Sequence, residues 1–273
     1  MEKHFAMTQH FLVFATNFKA ENPYLIEWLD YHLLVGVDHF YLYDQDGSNE
    51  AQELLKPYEQ AGLVTRHPWT HFDGTKYDRP TKFYQKNKNH LAFSHCATHY
   101  RHQFSWVMKI DVDEFLYPLN TRHNVIPYLK TLNRDRIKGI SVPRFNFSSQ
   151  GHYHKPPGLV IESYNFREAT ASNHKDIANS LFLTDNKYCY SAHWWHYQPF
   201  KIGKILRADP VTELRINHYY TKSYSEYLTR QNVSRGRQIS EQRFQEINRQ
   251  CNQVEDRSMN YYAQKLRENL KLL

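Results

Sequence analysis

Three acidic residues, Asp111, Asp113 and Glu114, follow an apolar run that ends at Ile110. If this segment stays extended, Asp111 and Asp113 point to one side and Glu114 points to the other. Two carboxylates that share a face repel each other unless a cation or a proton lies between them. Oxygen ligands suit Mg²⁺ or Mn²⁺, which also bind phosphate oxygens. The pair predicts half of a metal site completed by a diphosphate, with helix caps or surface acids as the alternative. Glu114 is expected to have a structural role.

A second acidic stretch, YDQDGSNE (43–50), ends another apolar segment. Its residue types predict a turn followed by a helix that is capped by Ser48 or Asp46. The functional alternative places Asp44 against a nucleotide base or ribose. The segments HWWH (193–196) and INHYYTKS (216–223) contain further histidines, and a neutral imidazole there could complete a metal shell. A structural histidine is the alternative in both segments.

The elements that must position these residues are predicted from apolar periodicity. Strands are predicted at 10–17, 37–44, 63–69 and 104–111, and helices at 22–36, 48–62 and 81–102. The second helix is expected to break near Pro57. Such alternation is typical of βαβ units and a mainly parallel sheet, whose ligands bind beyond the carboxyl ends of the strands. Asn17, Asp44 and Asp111 should therefore lie along one edge.

The pattern is less regular after residue 120. We predict a helix at 121–132, strands at 138–147 and 214–220, and helices within 223–235 and 240–273. The stretch 148–213 is rich in Pro, Gly, His and aromatic residues, which predicts an irregular lobe of short strands and loops on the acceptor side.

Composition and charge narrow the class of protein. The chain of 273 residues has a net charge of +7 but no basic stripe, which argues against a nucleic-acid partner. Three widely spaced cysteines indicate a reducing compartment. No signal peptide and no apolar run of about 18 residues is seen, so we expect a cytoplasmic protein that contacts at most the inner face of a membrane.

Basic residues of the terminal helices are candidates for contact with a membrane or a second subunit, a solvated face being the alternative: Arg235, Arg237, Lys265, Arg267 and Lys271. The oligomeric state stays open.

Six stretches resemble glycosyltransferase family 92 and the neighbouring family-2-like transferases. In chain order they are NPYLIEWLDYHLLVGVDHFYLYDQDGS, WVMKIDVDEFLYP, FNFSSQGHYHKPPGLVIESY, HKDIANS, HWWH and INHYYTKSYSEY, and they cover roughly residues 10–230. The resemblance implies a GT-A fold, which is an αβα nucleotide-binding sandwich with a DxD motif and Mn²⁺ or Mg²⁺. We accordingly divide the chain into a transferase domain, 1–222, with a nucleotide-binding half (1–120) and an acceptor-side half (121–222), and a helical extension, 223–273.

The resemblance also implies an activity: inverting transfer of a hexose, with galactose as the expected sugar, from a UDP-sugar to a glycan acceptor. Surface polysaccharide or lipopolysaccharide synthesis is the expected setting. By its matched positions, Asp111 and Asp113 form the DxD motif, with Asp113 on the metal and Asp111 on the metal or ribose. His218 matches a late histidine that closes over the metal, and Lys175 matches a lysine that neutralises phosphate.

The remaining donor contacts are expected from Asp44, at the base or ribose, and from Thr16 and Asn17 at the start of that pocket. This chain has Asn146 where the family often has glycine, and Gln150 intervenes before the following glycine. The acceptor identity therefore does not transfer from the family.

The catalytic base should lie past the DxD motif, on the acceptor side. Asp176, Glu162 and Glu168 are candidates, and ordinary ion pairs are the alternative for each. Trp194 and Trp195 are candidates for stacking on sugar faces, with core packing as the alternative.

Three other classes of protein stay open. A metal-dependent phosphatase or a nucleotidyltransferase would use the same acidic pair, but their acids come after different neighbouring elements. A non-catalytic carbohydrate-binding module would explain the aromatic residues but not the acid cluster.

Overall fold

The computed structural model describes residues 8–70, 88–119, 123–184, 191–229 and 240–270. Strands in this part of the chain are β1 (His10–Phe18), β2 (His39–Asp44), β3 (Val64–Pro68), β4 (Phe104–Lys109), β5 (Glu114–Pro118), β6 (Ile137–Asn146), β7 (Phe166–Arg167), β8 (Asn173–Asn179), β9 (Lys204–Arg207), β10 (Leu214–His218) and β11 (Val254–Glu255). Helices are α1 (Asn22–Leu34), α2 (Asn49–Gln60), α3 (Lys88–Tyr100), α4 (Ile126–Lys130), α5 (Val160–Ser163), α6 (Tyr224–Thr229), α7 (Glu241–Cys251) and α8 (Asn260–Leu270).

The fold is α/β and compatible with the GT-A type, as predicted. One sheet has the order β3-β2-β1-β4-β8-β6-β10-β5, and β9 also pairs with β6. The first four strands are parallel and alternate with α1, α2 and α3. The other half is mixed, because β8 enters antiparallel between β4 and β6, and β5 is antiparallel to β10. The edge of the sheet where ligands are expected therefore has two parts. One part consists of the carboxyl ends of parallel strands, and the other is formed where strands of both directions meet.

Both faces of the sheet are covered, which explains why β1 reads as an almost continuous apolar run. Phe14 faces a core that includes side chains of α1 and α8, whereas Val13 and Ala15 face a second core beneath α3. Tyr262 of α8 is fully buried in the first core, so this helix is part of the main body. No helix in the described ranges is both long and apolar enough to span a bilayer.

The expected break at Pro57 is wrong, because α2 continues through this residue to Gln60. Pro57 lies on the exposed side of the helix, as does Glu53 four residues earlier. Water can therefore hydrate the Glu53 carbonyl group that proline leaves without its helical partner. Arg235, Arg237 and Lys271 lie outside the described part of the chain, and so do the predictions made for them.

Candidate active site

The carboxyl ends of the parallel strands meet at one edge, as the topology predicted. Phe18 lies opposite Asp44 in the pairing of β1 with β2, and Ala15 lies opposite Lys109 in the pairing of β1 with β4. Asn17, Asp44 and the segment that contains Asp111 therefore follow neighbouring strands at the same end of the sheet.

The acidic segment after β4 is a tight turn. The backbone N–H of Glu114 donates to the carbonyl oxygen of Asp111 at 3.0 Å, and the Asp111 N–H donates to the Glu114 carboxylate at 3.0 Å. The indole N–H of Trp28 donates to the backbone carbonyl oxygens of Asp111 and Glu114, at 3.1 and 2.9 Å. The prediction that Asp111 and Asp113 share a face of an extended segment is wrong, because the chain must reverse here to begin β5 beside β10. The Asp111 side chain is 45% exposed, whereas that of Asp113 is 1% exposed.

Glu114 is fully buried beneath this turn in a network of ion pairs. The Lys175 ammonium lies 2.8 Å from the Asp111 carboxylate and 2.5 Å from that of Glu114, and an Arg144 nitrogen lies 3.0 Å from Glu114. Burial alone would raise the pKa of Glu114, but Lys175, His218 and Arg144 outweigh it and lower that pKa. Burial opposes the charge of Lys175, yet Asp111 and Glu114 raise its pKa. Glu114 thus has the structural role that the sequence predicted.

A second series of polar contacts leads through Asn146 and His218 to Asp113. Strand β10 places His218 opposite Glu114 on one side and opposite Asn146 on the other. His218 Nε2 lies 3.4 Å from the Asp113 carboxylate, and its Nδ1 lies 2.6 Å from the amide oxygen of Asn146. Glu168 accepts the Asn146 backbone N–H at 2.6 Å. The Asn146 side chain nitrogen donates to Ser172 at 2.8 Å and to Glu168 at 3.4 Å, which fixes the orientation of the amide.

This geometry sets the tautomer of His218. Because the amide oxygen of Asn146 can only accept, Nδ1 must carry the proton and donate it. In the neutral ring, the lone pair of Nε2 then faces the Asp113 carboxylate, so two acceptors oppose each other until a proton or a cation lies between them. Ligand histidines commonly have one nitrogen fixed in this way while the other faces the metal.

The donor set fits a divalent cation that takes its other ligands from a diphosphate. Asp113 and His218 would hold the ion, and Asp111, the most exposed of the three acids, would face it or the ribose. Three carboxylates against the two basic side chains of Lys175 and Arg144 leave one negative charge. Within the described ranges, no group of three or more His, Cys, Asp or Glu side chains is arranged to hold a metal by itself. The described residues alone would thus supply only part of the ligands of such an ion.

Asp44 is fully buried and engaged by the protein. Its carboxylate accepts from the Arg66 side chain at 2.7 and 3.0 Å and from the backbone N–H groups of Asp46 and Gly47. The predicted turn is confirmed, and Ser48 caps α2 by accepting the Ala51 N–H at 3.1 Å. The other two predicted donor residues end β1: Thr16 is fully buried and Asn17 is 8% exposed. Their contacts with a nucleotide stay predictions.

The three candidate bases have different surroundings. Glu162 accepts the Leu159 N–H and pairs with Arg267 of α8, and Glu168 is engaged by Asn146. Asp176 lies on the face of β8 opposite Lys175, and the Tyr197 hydroxyl group donates to it at 3.5 Å. Burial raises the pKa of Asp176 to about 6, a shift that His174, Lys109 and Tyr197 reduce.

Lys109, a buried lysine, contacts both candidate tryptophans, whose side chains differ in burial. Lys109 donates to the carbonyl oxygens of Ser191 and Trp194 at 2.9 and 2.8 Å, and its ammonium lies 4.2 Å from the Trp195 ring centre. Trp195 is buried in the second core against Phe93, whereas Trp194 is 50% exposed. Of the pair, Trp194 is the one whose ring is available to a sugar.

The sequence reasoning missed Trp28, Arg66, Arg144 and Asn146 as parts of the site. A signal was present for Arg144, because an arginine inside an apolar strand such as β6 needs a buried acid as a partner. Asn146 lies two residues further on the same face of the strand, so period-2 spacing would have grouped the two.

An acidic turn at the carboxyl edge of a half-parallel sheet, with a histidine beside it, is an arrangement of an α/β fold compatible with the GT-A type. The sequence profile of glycosyltransferase family 92 matches residues 13–270, and the chain therefore belongs to this family.

Named relatives agree with this membership. A glycosyltransferase family 92 protein of Arabidopsis thaliana is 28% identical over 221 residues, which are 77% of this chain and 35% of the relative. One from Oryza sativa subsp. japonica is 28% identical over 220 residues, 80% of this chain and 34% of the relative. A galactan beta-1,4-galactosyltransferase of Arabidopsis thaliana is 31% identical over 205 residues, 71% of this chain and 38% of the relative. The chain spans about a third of the length of these curated relatives.

Proposed function

We propose that this protein is an inverting glycosyltransferase that moves a hexose, galactose by expectation, from a UDP-sugar to a glycan acceptor with the help of Mn²⁺ or Mg²⁺. The observation that carries the proposal is the pair of Asp113 and His218, whose facing acceptor atoms are 3.4 Å apart at the ligand edge of the sheet. Family membership supports the transferase class, and the name of the galactan beta-1,4-galactosyltransferase relative supports galactose as the sugar. The proposed setting is surface polysaccharide or lipopolysaccharide synthesis on the cytoplasmic side of a membrane.

The residues of this chain would divide the work as follows. Asp113 and His218 would hold the cation, which would supply positive charge next to the diphosphate leaving group. Lys175 fixes Asp111, and the turn that Trp28 and Glu114 close keeps the acids in place for the nucleotide. Because these groups are already hydrogen-bonded, little reorganisation is needed when the donor binds.

A carboxylate must remove the proton of the acceptor hydroxyl group as it attacks the anomeric carbon. We favour Asp176 over Glu162 and Glu168. Both glutamates accept backbone N–H groups, whereas the one hydrogen bond to the Asp176 carboxylate seen in the described residues is long. A pKa raised to about 6 also suits a base that works near neutral pH. Trp194 is the proposed acceptor platform.

Calorimetric titration of UDP with and without Mn²⁺ tests the donor site. We expect binding that requires the metal and falls at least about tenfold in Asp113→Asn, since one of two protein ligands loses its charge. Asp135→Asn, which removes the charge of an exposed residue in the turn before β6, is the matched control and should bind UDP like the wild type. Equal UDP affinity without metal, or in Asp113→Asn, would refute the metal assignment.

A donor screen by UDP release tests the reaction class. Slow UDP-sugar hydrolysis without acceptor, lost in Asp113→Asn, is the expected result. Cleavage of simple phosphate esters with no turnover of any UDP-sugar would favour the phosphatase alternative, and glycan binding without any turnover would favour the binding module.

A further inference from the structure

The loop that leads into β9 exposes two large apolar side chains. Phe200 is 97% exposed and Ile202 is 94% exposed, more than any other large apolar residue in the described ranges. Ile205, on the strand that follows, is 49% exposed. A single exposed apolar residue is ordinary, but two of this size within three positions, next to a third, make this loop a candidate interaction site.

The loop is fastened to the protein on both sides of these residues. The Gln198 N–H donates to the Phe182 carbonyl oxygen at 2.8 Å, and the Lys201 ammonium donates to the Leu181 carbonyl oxygen at 2.8 Å. After the tip, Gly203 lies so close to Phe182 that an added Cβ would be 2.7 Å from its ring. Phe200 and Ile202 are therefore held away from the body by anchored backbone.

Basic side chains surround this apolar tip. Residues 198–207 contain three basic residues and no acid. The pairing of β9 with β6 places Lys204 opposite Ile137, which lies between Arg136 and Lys138 in the chain. Lys204, Arg207, Arg136 and Lys138 form no ion pair with any acid that the structure describes. The bases beside the tip therefore carry positive charge that no ion pair within the described residues neutralises.

We propose that this basic-apolar loop, residues 198–207 with the adjoining Arg136 and Lys138, docks the protein on an anionic lipid surface. Phe200 and Ile202 would enter the interfacial layer, and the bases would lie at the depth of the lipid phosphates. A second copy of the chain fits poorly, because a symmetric contact through this loop would bring like charges together. The bilayer supplies both the negative charge and the apolar layer that the loop lacks.

This surface differs from the one that the sequence suggested. Of the basic residues predicted to contact a membrane, Lys265 is paired with Glu268 and Arg267 with Glu162, so both are already neutralised within the protein. The loop also lies apart from the acidic turn. It flanks the start of β6, whereas Asn146 ends that strand nine positions later, or about 30 Å away at roughly 3.3 Å per residue.

Vesicle flotation of the full chain tests the proposal directly. We expect binding to vesicles of phosphatidylcholine with phosphatidylglycerol, little binding to pure phosphatidylcholine, and loss of binding as salt is raised. The double variant Phe200→Ser/Ile202→Ser should partition at least about tenfold less, because both side chains lose their apolar burial. Lys204→Gln/Arg207→Gln should also bind less and show a weaker salt dependence.

Val211→Ser is the matched control, since Val211 is 75% exposed but stands between Asp209 and Glu213. It should bind vesicles like the wild type. Unfolding midpoints and Mn²⁺-dependent UDP binding should stay unchanged in all these variants, so failure of docking and failure of the proposed activity can be told apart. The proposal is overturned by equal binding to neutral and anionic vesicles, by unchanged binding of Phe200→Ser/Ile202→Ser, or by a dimer in sedimentation that this variant abolishes while no vesicle binds.

Discussion

The Lys175→Met substitution should destabilise the protein strongly. Lys175 is 1% exposed and Glu114 is fully buried, and their charged groups are 2.5 Å apart. Methionine keeps most of the side chain volume but leaves Glu114 with Arg144 as its basic partner. Removing one member of a buried ion pair typically costs about 3–5 kcal/mol, because the remaining charge stays buried without full compensation.

Urea and thermal unfolding followed by circular dichroism would measure this loss. A decrease of about 3–5 kcal/mol corresponds to a decrease in Tm of about 6–20 °C for a chain of this size. Glu114→Gln is the partner variant, and the double variant Lys175→Met/Glu114→Gln should recover much of the loss, since the uncompensated charge is gone.

The pH dependence gives the reasoning a second check. The folded-state pKa of Glu114 is lowered, so its contribution to stability is present above the unfolded value near 4.3 and is lost as pH falls through the folded value. The difference between wild type and Lys175→Met should therefore narrow below about pH 4. A destabilisation under about 1 kcal/mol at pH 7, or a double variant no more stable than Lys175→Met, would refute the account.

Two further predictions concern histidines whose ring nitrogens are hydrogen-bonded by the fold. His32 donates from Nδ1 to the Trp28 carbonyl oxygen and accepts the Leu116 N–H at Nε2, and burial lowers its pKa to about 3. The unfolded chain thus binds a proton that the fold excludes, so between pH 6 and 4 wild-type stability should fall more steeply than that of His32→Gln, by about 1.4 kcal/mol per pH unit. Equal slopes in urea titrations would contradict this. For the second, Asn146→Leu removes the acceptor that fixes His218, so Mn²⁺ affinity measured by calorimetry should fall about tenfold or more, and Mn²⁺-dependent UDP binding should fall with it. Unchanged Mn²⁺ affinity would show that the tautomer of His218 does not matter.

The parallel half of the fold was predictable because its signals are local. Each of β1, β2, β3 and β4 is an apolar run bounded by polar residues, and the helices between them carry their own periodicity and caps. The edge that joins Asn17, Asp44 and Asp111 then followed from topology alone. Pro57 shows the limit of such signals: whether a proline ends a helix depends on which side of the helix faces water.

The sequence by itself determined which residue types gather at the carboxyl edge of the sheet and that Asp111 and Asp113 lie there. It also determined which transferase family the chain resembles. Only the tertiary structure decided that the acids stand on a turn, that Lys175 and Arg144 neutralise Glu114, and that His218 turns Nε2 toward Asp113. These contacts join residues of β5, β6, β8 and β10, which are far apart in the chain. Electrostatic pairing depends on distance and burial in space, and no local pattern of the sequence specifies either.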